Sequence, residues 1–209
     1  MDRFPSMSAL LGVVAPRGNY AIHVDRSHRS NVKIFAPHGG CIEPCTEPIV
    51  LAVARGMLDC FVFSGNRKRD CFSTLHVTST HYDEPQCAEM VRESGVAIAV
   101  HGCEGEESVI HIGGGNRNLA PELIQYLAAE GYPAAAAPGN IRGEEKSNFI
   151  NRARREGIQL ELSVGFRRSL FPGFPGCIQR HPRDFPNFID SLRRWIRELE
   201  AALSSGTER

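Results

Sequence analysis

The chain has 209 residues, with 24 lysines and arginines against 24 aspartates and glutamates, and 42% of its residues are hydrophobic. That composition is ordinary for a globular protein able to bury a core without staples. A formal net charge of zero supplies no field for nucleic acid or an anionic membrane, so any anionic ligand must be held by local arginines. No run approaches 18 apolar residues, the length that spans a bilayer. The start, Met1-Asp2-Arg3-Phe4-Pro5-Ser6, leads into only a short apolar piece from Ala9 to Ala15. That is a poor signal peptide and makes the cytoplasm the expected location. Seven cysteines, at 41, 45, 60, 71, 87, 103 and 177, have no repeating spacing and read as reduced thiols.

Residues 1–18 read as an N-terminal segment with a helix or loop around 7–14. Weak alternation over 19–24, a polar turn at 27–31 and the apolar run 32–36 predict a hairpin. Its second strand stops at Pro37, and His38-Gly39-Gly40-Cys41-Ile42-Glu43-Pro44 follows at once. Apolar residues at 49, 50, 53, 54, 57 and 58 have helical spacing, with Glu47-Pro48 in the first turn. Strands are expected at 60–64 and 75–78, and a helix from Pro85 to Ser94. The cleanest buried strand, Gly95-Val96-Ala97-Ile98-Ala99-Val100, ends in His101-Gly102. After it come a strand at 109–112, a helix at 119–130, a strand at 132–136, a short helix at 148–155 and a strand at 158–162. A wrapping loop rich in Pro, Gly and Phe covers 166–183, a closing helix 188–203, and 205–209 form a frayed tail. Alternating strands and helices over 19–204 without a composition break predict one α/β domain with a mixed parallel and antiparallel sheet flanked by helices.

Strand ends on one edge of such a sheet converge, and three of these ends are polar: His38 with Glu43, His81, and His101. Imidazole nitrogen and carboxylate oxygen suit zinc, and two histidines with one carboxylate leave the open fourth position of a catalytic site. Glu161 also stands out, because a carboxylate between Leu160 and Leu162 needs either a partner or an outward face. Cys41 and Cys45 lie in the same loop as His38. A set of His38, Cys41, Cys45 and His101 would instead be a closed structural zinc site in a binding or regulatory protein.

Four short motifs occur in order: Ala36-Pro37-His38-Gly39-Gly40 with Ile42-Glu43-Pro44; Leu75-His76-Val77-Thr78-Ser79-Thr80-His81-Tyr82-Asp83-Glu84-Pro85; Val100-His101-Gly102; and Asn151-Arg152 with Gly157-Ile158-Gln159-Leu160-Glu161-Leu162. Over residues 19–165 the chain thereby resembles the poly-γ-glutamate hydrolases of Bacillus phages and bacterial genomes, which are related in fold to zinc carboxypeptidases. The resemblance implies zinc as cofactor, His38, Glu43 and His101 as its ligands, and Glu161 as the catalytic glutamate. It implies Asn151 and Arg152 as binders of a substrate carboxylate, although in zinc carboxypeptidases such a pair precedes the second histidine. His81 would donate to the oxyanion or to the substrate. The expected activity is hydrolysis of γ-glutamyl amide bonds in poly-γ-glutamate by a monomer, phage-encoded and released on lysis. A small N-acyl-glutamate or a cell-wall γ-glutamyl peptide is the alternative substrate.

Overall fold

Seven strands form one mixed sheet in the computed structural model, which describes residues 2–176 and 184–206. They are β1 (Tyr20–Asp25), β2 (Val32–Gly40), β3 (Asp59–Gly65), β4 (Val96–Gly102), β5 (Ile110–Gly113), β6 (Ala134–Ala136) and β7 (Gly157–Leu162). Across the sheet they run β1-β3-β2-β4-β7-β5-β6. The four central strands β3, β2, β4 and β7 are parallel, while β1 and β5 join antiparallel. The helices are α1 (Met7–Val13), α2 (Thr46–Ala54), α3 (Cys71–Leu75), α4 (Pro85–Glu93), α5 (Leu119–Ala129), α6 (Val164–Leu170) and α7 (Asp184–Ser204). The predicted α/β class and mixed sheet are therefore present.

Side chains alternate across the pleat, so each strand feeds two cores. Ile34, Ile98 and Ile158 face α2, α5, α6 and α7. Phe35, Ala97 and Ala99 face α1, α4 and the single-turn helix Phe149–Arg152. Both faces are covered, which is why the parallel strands read as continuous apolar runs rather than alternating ones.

The expected hairpin does not form. β1 pairs antiparallel with β3, from Tyr20 opposite Gly65 to Asp25 opposite Cys60, and β2 lies on the far side of β3. The strand also does not stop at Pro37. β2 ends its pairing with β4 at Phe35, so the missing N–H of Pro37 costs that ladder nothing, and its register with β3 shifts between Ala36 and Gly39. Residues 75–78 are no strand: Leu75 closes α3 and the chain then runs extended outside the sheet. The wrapping loop is in part helical, since Ser163 caps α6 by accepting from Phe166 N–H. The rest of that segment beyond Gly176, and the tail beyond Gly206, lie outside the described residues.

The chain passes from β2 to β3 on one side, then crosses to β4 on the other. The reversal lies between β2 and β4, at the carboxyl ends of parallel strands, where open α/β sheets hold ligands. Pairing of β2 with β4 ends at Phe35–Ala99, whereas β4 stays paired with β7 through Gly102–Leu162. The sheet thus opens at the level of His38 and His101.

Candidate active site

β2 delivers His38 at the mouth of this opening. Gly40, with a φ of 63°, turns the chain; a Cβ there would stand 2.2 Å from the Gly65 carbonyl oxygen, so only glycine lets the loop lie against the end of β3. The loop closes as Glu43 N–H donates to His38 O at 2.8 Å. His38 Nδ1 then lies 2.9 Å from Glu43 Oε1, while Nε2 donates to Val77 O at 2.9 Å. On the opposite side of the carboxylate, His101 Nδ1 is 3.5 Å from Oε2 and His101 Nε2 is 3.4 Å from Ser79 Oγ. Gly102 N–H donates to the same Oε2 at 2.9 Å.

A third imidazole completes the cluster. His76 Nε2 lies 4.0 Å from Glu43 Oε1, and its Nδ1 lies 2.7 Å from Asp2 Oδ1. Donor atoms of His38, Glu43 and His76 all fall within 4.8 Å of one another. These groups fit a divalent cation. His38 Nε2 is held by Val77 O, which leaves Nδ1 facing the buried Glu43 carboxylate, and a nitrogen and a carboxylate oxygen presented together suit such an ion. An outer N–H held by a carbonyl, hydroxyl or carboxylate is the usual support of a ligating histidine. His101 and His76 both have such a partner, so both are placed to complete a site on His38 and Glu43.

Burial works to raise the Glu43 carboxyl, yet the His38 and His101 imidazoles outweigh it and hold Glu43 far below the ordinary carboxylate range. Burial opposes a charged His101, but Glu161 and Glu43 push it up to about 9. His76 is held below its usual value by burial and by His38.

Glu161 is 8% exposed, so the outward-face alternative does not hold. It lies in the sheet between two histidines, with His101 of β4 as its register partner on one side and His111 of β5 on the other. Gln159 Nε2 donates to Glu161 Oε1 at 3.0 Å and to Ile141 O at 2.9 Å, and Gln159 Oε1 accepts from Asn148. Burial first, and then the Glu43 charge, push the Glu161 carboxyl up to about 7 against the pull of His101.

Arg167, on the first turns of α6, ties the three strand ends together. Its Nη1 donates to Pro44 O at 2.9 Å, Nη2 to Cys103 O at 2.9 Å and Nε to Leu162 O at 3.0 Å. Each carbonyl lies one or two residues beyond a site residue, so one buried guanidinium spans all three loops.

His38, Glu43, His101 and Glu161 thus line one cavity of about 590 Å³. The other expected residues stand apart from it. His81 is exposed at the end of the single-turn helix Ser79–His81, and only Thr78, Ser79 and Thr80 of that segment reach the cavity wall. Asn151 is a brace: Oδ1 accepts from Gly115 N–H at 2.8 Å, and Nδ2 donates to Gly143 O at 2.8 Å and Glu145 O at 2.9 Å. Arg152 is exposed and donates to Ser147 O.

Residues not singled out from the sequence are His76, Gln159, Arg167 and His111, whose buried Nδ1 has no hydrogen-bond partner among the described residues. The reduced-thiol expectation holds for Cys60, Cys87 and Cys103 and is overturned elsewhere: Cys41 is joined to Cys71 in a disulfide, and Cys45 is also disulfide-bonded. The closed set of His38, Cys41, Cys45 and His101 therefore has no free thiolates. Burial and the Glu161 charge push the Cys103 thiol up to about 11, which disfavours its thiolate. Among the described residues, no helix is long and apolar enough to cross a membrane.

The chain is 32% identical to the Bacillus subtilis protein YndL over 71% of its length, and 30% identical to YmaC of the same organism over 83%. The matched region spans 59% of YndL and 74% of YmaC. A zinc-free structure of YndL superposes with a TM-score of 0.86 at 28% identity, covering 94% of this chain and 98% of that one. The structure of a bacteriophage poly-γ-glutamate hydrolase superposes equally well, at 0.86 and 27% identity, covering 95% and 98%. Residues 4–190 match the model of one family, and the chain belongs to it: the poly-γ-glutamate hydrolases.

Proposed function

We propose that the protein is a zinc-dependent hydrolase that cleaves γ-glutamyl amide bonds of poly-γ-glutamate. The observation that carries this reading is the adjacency of Glu161, a buried carboxyl with its pKa near 7, to the His38–Glu43–His101 cluster at the sheet's reversal point. Family membership supports the substrate, and the zinc-free form known for YndL supports the metal. His38 and Glu43 would hold the ion with His101 as third ligand. His76 is a second candidate for that position, favoured by its donor distance to the other two. Zinc bound there supplies Lewis acidity to the attacking water and to the scissile carbonyl.

Glu161 takes a proton from the attacking water and returns it to the leaving amine. A carboxyl titrating near neutrality is suited to both halves of that transfer. The Gln159 amide and its Asn148 partner hold the carboxylate in one orientation while it acts. Arg167 keeps the loops in register, which limits reorganisation during the reaction. The test is incubation of the purified protein with poly-γ-glutamate, with and without chelator, following polymer size. Shortening that the chelator abolishes supports the reading; unchanged polymer in the metal-loaded sample refutes it.

A further inference from the structure

Among the described residues, no lysine or arginine lines the cavity that contains Glu161. Its charged wall is made of Glu43, Glu104, Glu145 and Glu161 with imidazoles. Poly-γ-glutamate has one carboxylate per residue, and this wall offers the flanking carboxylates no guanidinium or ammonium group. Cations are found across a single ridge. In segment 143–148, Gly143, Glu145 and Asn148 face the cavity, whereas Glu144 and Lys146 face a second cleft of about 890 Å³.

That second cleft is lined, among the described residues, by Arg117, Lys146, Arg154 and Arg155 against only Glu144 and Glu156. Among the described residues, none of the four cationic side chains makes an ion pair or a hydrogen bond. The backbone that presents Arg154 and Arg155 is nonetheless fixed. Arg154 N–H donates to Ser94 O at 3.1 Å, Arg155 N–H donates to Gly95 O at 3.0 Å, and Asn116 Nδ2 donates to Arg155 O at 2.6 Å. Asn151 ties Gly115, on the floor of this cleft, to the ridge through Gly143 and Glu145. Unpaired cations on an anchored frame keep their charge for a ligand, and only their side chains remain to be ordered on binding one.

We infer that the Arg117–Lys146–Arg154–Arg155 cleft is an exosite that holds pendant α-carboxylates of a poly-γ-glutamate chain whose scissile bond lies in the neighbouring cavity. The inference rests on the proposed activity and adds to it the place where the polymer is gripped. A substrate too short to cross the ridge gains nothing from the exosite, which makes polymer length the readout.

The experiment uses the full chain with Arg117, Lys146, Arg154 and Arg155 all changed to Gln, compared with wild type on long poly-γ-glutamate and on a short γ-glutamyl oligomer. The expected result is a KM for the polymer raised at least about tenfold, the combined effect of four exposed charge contacts of modest strength. The polymer's kcat, the oligomer's kinetics and the melting temperature should stay at wild-type values. Salt should weaken polymer use by wild type more than by the variant. An unchanged polymer KM, or an equal loss on both substrates, overturns the exosite and leaves the hydrolase reading standing. If wild type cleaves neither substrate, that reading falls instead. Fluorescence anisotropy of labelled poly-γ-glutamate then still decides the exosite: binding lost in the quadruple variant supports it, and equal binding refutes it.

Discussion

His101 and Glu161 are register partners on adjacent parallel strands, side by side at the floor of the cavity. The carboxylate helps push the imidazole up to about 9, and the imidazole's pull falls short of offsetting the burial that lifts Glu161 to about 7. The pair exists because β4 keeps its ladder with β7 after β2 has left it.

This distribution predicts a pH dependence of stability in metal-stripped protein. Glu161 titrates at about 7 when folded, against an ordinary value of 4.5. A carboxyl raised on folding is held more tightly in the native state, so it does no harm below pH 4.5. The cost grows as pH rises towards 7 and then levels off on the order of 3 kcal/mol. Glu161→Gln cannot ionise and escapes that cost. Relative to chelated wild type, its unfolding free energy should therefore rise between about pH 5 and pH 8. Denaturant melts at several pH values measure it; a difference that stays flat contradicts the assignment.

The third metal ligand is decided by two variants. If His101 ligates, His101→Ala should lose zinc on dialysis while His76→Ala retains about one ion per chain, measured by atomic emission. The reverse pattern gives the position to His76, whose Nδ1 is held by Asp2. Full zinc in both variants would mean that neither imidazole is essential to the site.

The disulfide between Cys41 and Cys71 closes a loop with a sequence separation of 30 and joins the His38–Glu43 loop to the helix that leads to His76. In the chain-entropy account, such a cross-link stabilises by about 3–4 kcal/mol. Changing both cysteines to serine should lower the unfolding free energy by that order, and reductant should then have a smaller effect on the variant than on wild type. An unchanged denaturation midpoint would contradict this.

Much of the site was legible because chemistry follows strand ends. His38-Gly39-Gly40 and His101-Gly102 each close an apolar run, and both histidines meet at Glu43. Glu161 was visible as a polar residue between two leucines, and the same signal marks His111 between Ile110 and Ile112 and His76 between Leu75 and Val77. The signal is not reliable alone, since His23 between Ile22 and Val24 is exposed on edge strand β1. Strand pairing was the hardest part to read. Nothing local in 19–36 shows that β1 will pair with β3 instead of β2, because that choice is made by long-range packing. Arg167 was hidden for a similar reason: its partners are carbonyls of three loops far apart in sequence. The disulfide needs Cys41 and Cys71 brought to a Cα separation of 5.9 Å, which spacing along the chain cannot reveal.

The central claim is that Glu161 moves the proton, and Glu161→Gln tests it most directly. Rate on poly-γ-glutamate, zinc content and melting temperature are measured on one preparation at pH 7.5. Glutamine keeps the shape and can still accept the Gln159 hydrogen bond, but it cannot take a proton from water. Turnover should fall at least ~100-fold, the lower end of what general acid–base catalysis contributes, with zinc retained and the melting temperature equal to or above wild type. A near-normal rate with zinc in place would contradict the account, and a lost rate with lost zinc would make Glu161 a ligand instead of the base.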